Sequence, residues 1–381
     1  MPKRSILFRS AARITLVVIS TTIGIALAAT VMALVDPPVH HNASVHIDPA
    51  NPTSRYDDYF GGIPLAGTHG TASANNKTYD FWYGRFAQRL DSKGREASSP
   101  SVIVLGCSLA WGAGVDGDKT FAAMLERGLG QEVLNAAVSG TGTIYMARRL
   151  EMLPTEAKRS VNTVIYLLYE DHLYRNVRRC AAMDNPICLQ LRSIAFENDQ
   201  PTEHSPTYTI EWLFGGPYEM MTHWYLDQYV DGTRRSFGKD VLWSLYRFYA
   251  AADRLMHLEP DWNSSAARTK LTAALDYSLG VMASQVRTLN ARFLILWVPI
   301  YSYPRPLTAM PKDIAAIVTK YADDTIDLAG PFNAMLTAGS SQQAYPFTIP
   351  NDGHFNEKGH QIIADLIVAR LRERHVLREL R

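Results

Sequence analysis

Two short stretches, far apart in the chain, carry the residue types of covalent acyl chemistry. The first is G-C-S-L-A-W-G-A-G, Gly106 to Gly114, which directly follows the β-branched run at Val102 to Leu105. A serine at a strand-to-helix turn exposes its hydroxyl and lies beside the free amides of the helix start, which can hold an oxyanion. Serine is equally a common helix cap, so this stretch has a structural reading as well. The second is P-N-D-G-H-F-N-E-K-G-H, Pro350 to His360. Asp352 and His354 stand two apart. In a turn such a carboxylate can hold the imidazole of its near neighbour, fixing its tautomer and stabilising the imidazolium formed when histidine takes a proton. The structural alternative is a polar loop entering the last helix, with Asn356 as its cap. His354 and His360 could suggest a metal, but no third ligand has credible spacing, so no metal and no cofactor are expected.

A third stretch, N-A-A-V-S-G-T-G-T from Asn135 to Thr143, follows a second apolar run. Its glycines let backbone amides face a ligand. It lacks G-x-G-x-x-G, which argues against a dinucleotide site.

These stretches need a scaffold. Apolar runs at Val102 to Leu105, Val133 to Ala137, Val164 to Leu168 and Phe293 to Val298 read as strands. Helical patterns at Thr120 to Gly128, Tyr145 to Leu153, Ala266 to Asn290 and Glu357 to Arg374 alternate with them. Such alternation predicts an α/β fold of three α/β/α layers around a parallel central sheet. Ligand groups gather beyond the carboxyl ends of such strands, which is where the serine and glycine stretches fall. Residues 177 to 265 break the rhythm and are rich in aromatics, so they read as an insertion over that face. Residues 76 to 100 read as short strands, with Tyr79, Phe81 and Tyr83 alternating.

The N-terminus is different. Lys3, Arg4, Arg9 and Arg13 precede an uncharged apolar run from Ile14 to Val35, and no Lys or Arg follows it until Arg55. About 20 such residues cross a bilayer as a helix, and the one-sided basic flank keeps residues 1 to 13 in the cytoplasm. A cleaved signal peptide, cut after Ala26-Leu27-Ala28, is the rival, but its apolar region is normally shorter. The expected organisation is a basic tail at 1–13, an anchor at 14–35, a tether and lead-in at 36–99 and a catalytic domain at 100–376. That domain faces a bacterial periplasm. Cys180 and Cys188 bracket a short loop, and an oxidising compartment predicts a disulfide between them, leaving Cys107 free. The 38 basic and 37 acidic side chains nearly balance, which gives no electrostatic case for nucleic acid.

Taken in order, the three stretches resemble the SGNH/GDSL hydrolase superfamily. That family carries its serine in a Gly-x-Ser block after the first strand, matched by Gly106-Cys107-Ser108. Its second block supplies an oxyanion glycine, matched by Gly140, and its last block carries Asp and His before the final helix. The Asp-Gly-His-x-Asn form, Asp352 to Asn356, is similar to periplasmic polysaccharide O-acetylation proteins. The resemblance covers residues 100 to 374 and implies a flavodoxin-like sheet, with Ser108, His354 and Asp352 as nucleophile, base and orienting acid. It implies an oxyanion site on the amides of Ser108 and Gly140.

The sequence departs from the family in two places. Cys107 replaces the usual aspartate before the serine. The third block, normally Asn-Asp with the Asn donating to the oxyanion, reads Glu170-Asp171-His172 here. Aligned on the aspartate, Glu170 takes the Asn position; aligned on the downstream Leu-x-Arg, Asp171 does. Ionised acids cannot donate, so the oxyanion candidates of this block are Glu170 or Asp171 if protonated, and His172, whose N–H could serve as the missing donor. The α/β-hydrolase pattern fits less well, since G-x-S-x-G would need glycine at Ala110 and a wide acid-to-histidine spacing.

Three functions follow as expectations. The first is an esterase or deacetylase acting on an acylated envelope glycan or lipid. The second is an O-acyltransferase, drawing on an acyl-donor protein of the envelope. The third is a non-catalytic glycan-binding module.

Overall fold

In the computed structural model the described residues are 24, 27, 45–46, 54–57, 61–74, 77–177, 192–204, 264–301, 305–336, 345–350 and 352–379. The chain divides into two compact units. All described residues except Gly24 and Leu27 belong to the larger unit, Asn42–Met183, Ile187–Val230 and Asn263–Arg381. The proposed span 14–35 lies outside the described residues apart from those two helical positions, and so does the Cys180–Cys188 pair. Among the described residues, no helix is long and apolar enough to cross a membrane.

The unit opens with short antiparallel strands: β1 (Val45–His46), β2 (Ser54–Asp57), β3 (Gly61–Pro64), β4 (His69–Ala74) and β5 (Lys77–Trp82). β4 pairs with both β1 and β5, and β2 pairs with β3. The α/β body follows, with β6 (Val102–Leu105), α1 (Ser108–Trp111), α2 (Phe121–Leu129), β7 (Val133–Asn135), α3 (Thr143–Met152), α4 (Thr155–Lys158), β8 (Thr163–Tyr169) and α5 (His172–Val177). After a hairpin, β9 (Ser193–Glu197) and β10 (Gln200–His204), come α6 (Ser265–Thr288), β11 (Arg292–Val298), α7 (Lys312–Tyr321), β12 (Asp324–Asp327), α8 (Ala329–Asn333) and α9 (Glu357–Glu379).

The five-stranded sheet is wholly parallel, in the order β12-β11-β8-β6-β7. Counted within the sheet this is 2-1-3-4-5, the flavodoxin-like order. Its direction of winding reverses at β6, so a crevice opens beyond the carboxyl ends of β6 and β8. Every residue of β6 and β7 is buried, as continuous apolar runs require in a sheet covered on both faces. Trp297, Tyr166, Phe293 and Ile103 fill the interior with no more than 2% exposure.

The strand expected around Tyr79 and Phe81 is present as β5. Tyr79 and Phe81 alternate on β5 toward one face, and both join the main core, where the Phe81 ring packs edge-on to Trp111 at 5.2 Å. The core that the α/β body builds therefore includes residues before 100.

His360, on the buried face of α9, is fully buried, and its Nδ1 accepts the amide of Phe121 at the start of α2. Burial, with Arg89 and His354 adding to it, lowers its pKa to about 3 from the ordinary 6.5. Between those values the unfolded chain binds a proton that the folded chain refuses. The stabilisation is thus complete above pH 6.5 and drains away as pH falls toward 3. At pH 5 the loss is about 2 kcal/mol, taking 1.36 kcal/mol per unit. Urea unfolding at pH 7 and pH 5 should show this drop, and His360→Asn should flatten it. An unchanged pH slope in the variant would contradict the account.

Candidate active site

The turn that carries Ser108 is built by Gly106. Its φ of +149° and its surroundings both demand glycine, because a Cβ there would lie 2.7 Å from the Ala110 Cβ and 3.2 Å from the Leu167 carbonyl oxygen. The chain can therefore leave β6 abruptly and enter α1 at Ser108, the first residue of a single helical turn. The first amides of such a turn have no intrahelical acceptor, which leaves the Ser108 amide free to face a ligand. Ser108 is 8% exposed, enough for its hydroxyl to meet a substrate at the crevice.

The other partners arrive from the opposite end of the sequence. Gly353, at φ +82°, turns the chain between Asp352 and His354, and the His354 amide donates back to Asp352 Oδ1 at 3.3 Å. The same carboxylate oxygen receives His354 Nδ1–H. Asn356 fixes the loop to α9: its Oδ1 accepts the Gly359 amide, and its Nδ2 donates to the Pro346 and Thr348 carbonyls. His354 Nε2 lies 2.9 Å from Ser108 Oγ and accepts its hydroxyl proton. Ser108, His354 and Asp352, which the sequence singled out, thus form one hydrogen-bonded line. The side chain of Asp352 is 6% exposed and that of His354 28%. Burial alone would raise the Asp352 carboxyl, but the hydrogen bond and positive charge of His354 hold it below the usual carboxylate range. Tyr301 donates its hydroxyl to the Gly353 carbonyl and stacks on Phe355, bracing the turn from the β11 side.

Gly140 lies in the loop after β7. That loop is stitched to the nucleophile turn by Val138 N–H donating to the Gly106 carbonyl at 3.0 Å, and Thr141 Oγ1 closes it on the Val138 carbonyl at 2.7 Å. The two amides expected to face an oxyanion, those of Ser108 and Gly140, are thereby carried by directly bonded backbone.

The third block departs from expectation. Glu170 Oε2 accepts the Ile300 amide at 2.8 Å, tying the end of β8 to that of β11. Asp171 Oδ2 accepts from Arg175 Nε at 2.6 Å, one helical turn on. His172 has no exposure at all. Its Nδ1 meets the Tyr166 hydroxyl at 2.7 Å, and its ring stacks on Tyr166. The imidazole thus lies wholly inside the core, which does not place it at the crevice as an oxyanion donor, and its Nε2 has no hydrogen-bond partner among the described residues. Its pKa is pushed well below the ordinary value, first by burial and then by Arg175. The physical reason is the start of α5, which buries the His172 side chain while the two acids before it are held by the Ile300 amide and by Arg175. Asn176, one turn further on, is also fully committed: Oδ1 accepts the Ile144 amide and Nδ2 donates to Thr143 Oγ1.

Two contributors escaped the sequence reading. Asn135 Nδ2 donates to the Ala110 carbonyl at 3.2 Å, under the nucleophile turn. Arg89 donates to three carbonyls around the same turn. Asn135 stood inside a quoted motif, whereas nothing local marks Arg89. Cys107 is a buried free thiol. Among the described residues, no group of three His, Cys, Asp or Glu side chains is placed to hold a metal ion.

No family model and no curated protein matches the chain. Solved structures do. One is TesA, at 13% identity, covering 70% of this chain and 96% of that one, with a TM-score of 0.33. A second is the psychrotrophic esterase EstA from Pseudoalteromonas sp., at 12% identity over 71% and 96% of the two chains, TM-score 0.35. A third is a carbohydrate esterase family 2 enzyme with a carbohydrate-binding domain from Corynascus thermopiles (Myceliophthora fergusii), at 13% identity over 86% and 99%, TM-score 0.34. Likeness at this level assigns no chemistry, and the functional reading rests on the geometry at Ser108.

Proposed function

We propose that this chain is a serine ester hydrolase of the SGNH/GDSL type. The carrying observation is the hydrogen-bonded line from Ser108 Oγ through His354 to Asp352 at the mouth of the parallel sheet. Ser108 Oγ attacks the acyl carbonyl while His354 Nε2 takes its proton, and Asp352 stabilises the imidazolium. The oxyanion is held by the amides of Ser108 and Gly140. Collapse expels the alcohol, which takes the proton from His354. Water then gives a proton to His354 and attacks the acyl-serine; the C–Oγ bond breaks, His354 returns that proton to Ser108 Oγ, and the acid leaves.

The substrate proposed is an acylated glycan or lipid of a bacterial envelope. It is supported by the basic residues before the uncharged run at 14–35, which on this reading is a single-pass anchor carrying the catalytic unit into the periplasm. Alkaline extraction of membranes should leave the full chain in the pellet, and a soluble form starting near residue 29 would contradict the anchor.

The test of function is a screen of the full chain on p-nitrophenyl esters and acetylated glycans, with and without an acceptor sugar. Ester cleavage without acceptor is the expected result. Product ester formed only with the sugar present would instead make the chain an O-acyltransferase working through the same acyl-serine. No release of either kind would leave a binding module.

A further inference from the structure

Arg89 is 4% exposed, and no carboxylate lies within ion-pair distance of it among the described residues. Burial lowers its pKa to about 10, so it remains a cation at neutral pH. A buried cation with no ion-pair partner is expensive unless its donors are met; here the two terminal nitrogens are met by backbone, while Nε has no partner among the described residues. Nη1 donates to the carbonyls of Trp111 at 2.9 Å and Gly112 at 2.5 Å, and Nη2 to that of Val115 at 2.5 Å. The guanidinium also lies 4.0 Å from the centre of the Trp111 ring. These carbonyls belong to the end of α1 and the loop after it. A one-turn helix cannot hold itself together, and its last carbonyls have no donors of their own. A cation at that end opposes the partial negative charge there.

Arg89 is itself held from the other side of the site. Its amide donates to the Asn135 carbonyl at 2.9 Å. Just before it, Arg149 of α3 donates through Nη2 to the carbonyls of Phe86 at 2.6 Å and Ala87 at 3.0 Å. Ala87 sits at φ +54°, a left-handed conformation that an alanine adopts only when its surroundings impose it. α3 follows directly on the loop that carries Gly140. Residues 86–89 therefore form a strut running from the Gly140 element to the Ser108 element.

We infer that Arg89 is a positioning residue that fixes α1, and with it the Ser108 hydroxyl and amide, against the Gly140 loop. The kinetic part of this inference rests on the proposed hydrolase reading; the structural part does not. Arg89→Lys keeps the charge but replaces a planar fork by a point donor that cannot span three carbonyls. On the full chain, well below its melting temperature, Arg89→Lys should lower kcat by about 10²-fold with KM nearly unchanged. Hydrogen exchange followed by mass spectrometry should show protection lost in peptides spanning 108–115 and retained in β8 and β11. A lower Tm with unchanged kcat and unchanged exchange at 108–115 would make Arg89 an ordinary core residue and overturn the inference. If the wild type turns over no ester, the hydrolase reading fails, and exchange at 108–115 still decides for or against the strut. If Arg89→Lys does not fold, wild-type chain labelled with 15N-arginine decides. Slowly exchanging, rotationally frozen Arg89 Nη protons support the strut, and freely rotating ones refute it.

Discussion

Ser108→Ala should remove ester turnover almost entirely, with a loss in kcat on the order of 10⁶, while the fold survives. The size follows from the chemistry. Without Oγ there is no acyl-enzyme, and the remaining rate comes from the oxyanion amides and binding alone, as in serine proteases stripped of their nucleophile. The fold should survive because the alanine removes one hydroxyl, hydrogen-bonded to His354 at the edge of the cleft. The Ser108 amide and carbonyl stay in place, the latter still accepting from the amides of Gly112 and Ala113. KM should change little, since Oγ contributes to the reaction more than to ground-state binding. Steady-state kinetics of the purified variant, with circular dichroism as the control for folding, check this. Activity within tenfold of wild type would mean that another group is the nucleophile.

His354→Ala should cost nearly as much, and Asp352→Asn distinctly less, about 10⁴-fold. The ordering comes from the distinct tasks of the two side chains. His354 moves the proton in both half-reactions, so its loss leaves Ser108 a weak nucleophile. Asp352 moves no proton. It accepts Nδ1–H, which leaves Nε2 as the proton acceptor facing Ser108, and it stabilises the imidazolium. Asparagine can present its amide N–H to Nδ1 and so favour the wrong tautomer. Because the Asp352 carboxyl is held below the usual carboxylate range, its contribution to stability is present above that range and lost only as pH falls through its lowered value. Activity lost on mild acidification should therefore be traced to groups other than Asp352. Equal losses in the two variants would contradict the division of roles.

The sequence made the α/β body legible because its strands are short apolar runs and its helices have clear periods. Val102–Leu105 and Phe293–Val298 could be read directly. The edge strand β12 could not, since D-T-I-D offers a single buried residue, Ile326. Asp352 and His354 were legible because their spacing around a turn is itself the chemical requirement, and Ser108 because it stands between a glycine and a helix start just after an apolar strand. The third block was not legible. Whether Glu170, Asp171 or His172 reaches the crevice depends on where α5 begins, and on partners such as the Ile300 amide, 130 residues away. Arg89 was hidden for the same reason: its partners are backbone carbonyls 22 to 26 residues further on, which leave no trace in side-chain pattern.

The central claim, that Ser108 is a nucleophile activated by His354, is tested most directly by mapping the adduct of a fluorophosphonate. The serine oxygen bonds to phosphorus, fluoride leaves, and His354 takes the hydroxyl proton, so labelling reports nucleophilicity without any knowledge of the substrate. Peptide mass spectrometry of the full chain should find one phosphonylated site, at Ser108, formed far more slowly in His354→Ala. A chain that takes no label, or carries it on another residue with Ser108 unmodified, would contradict the account.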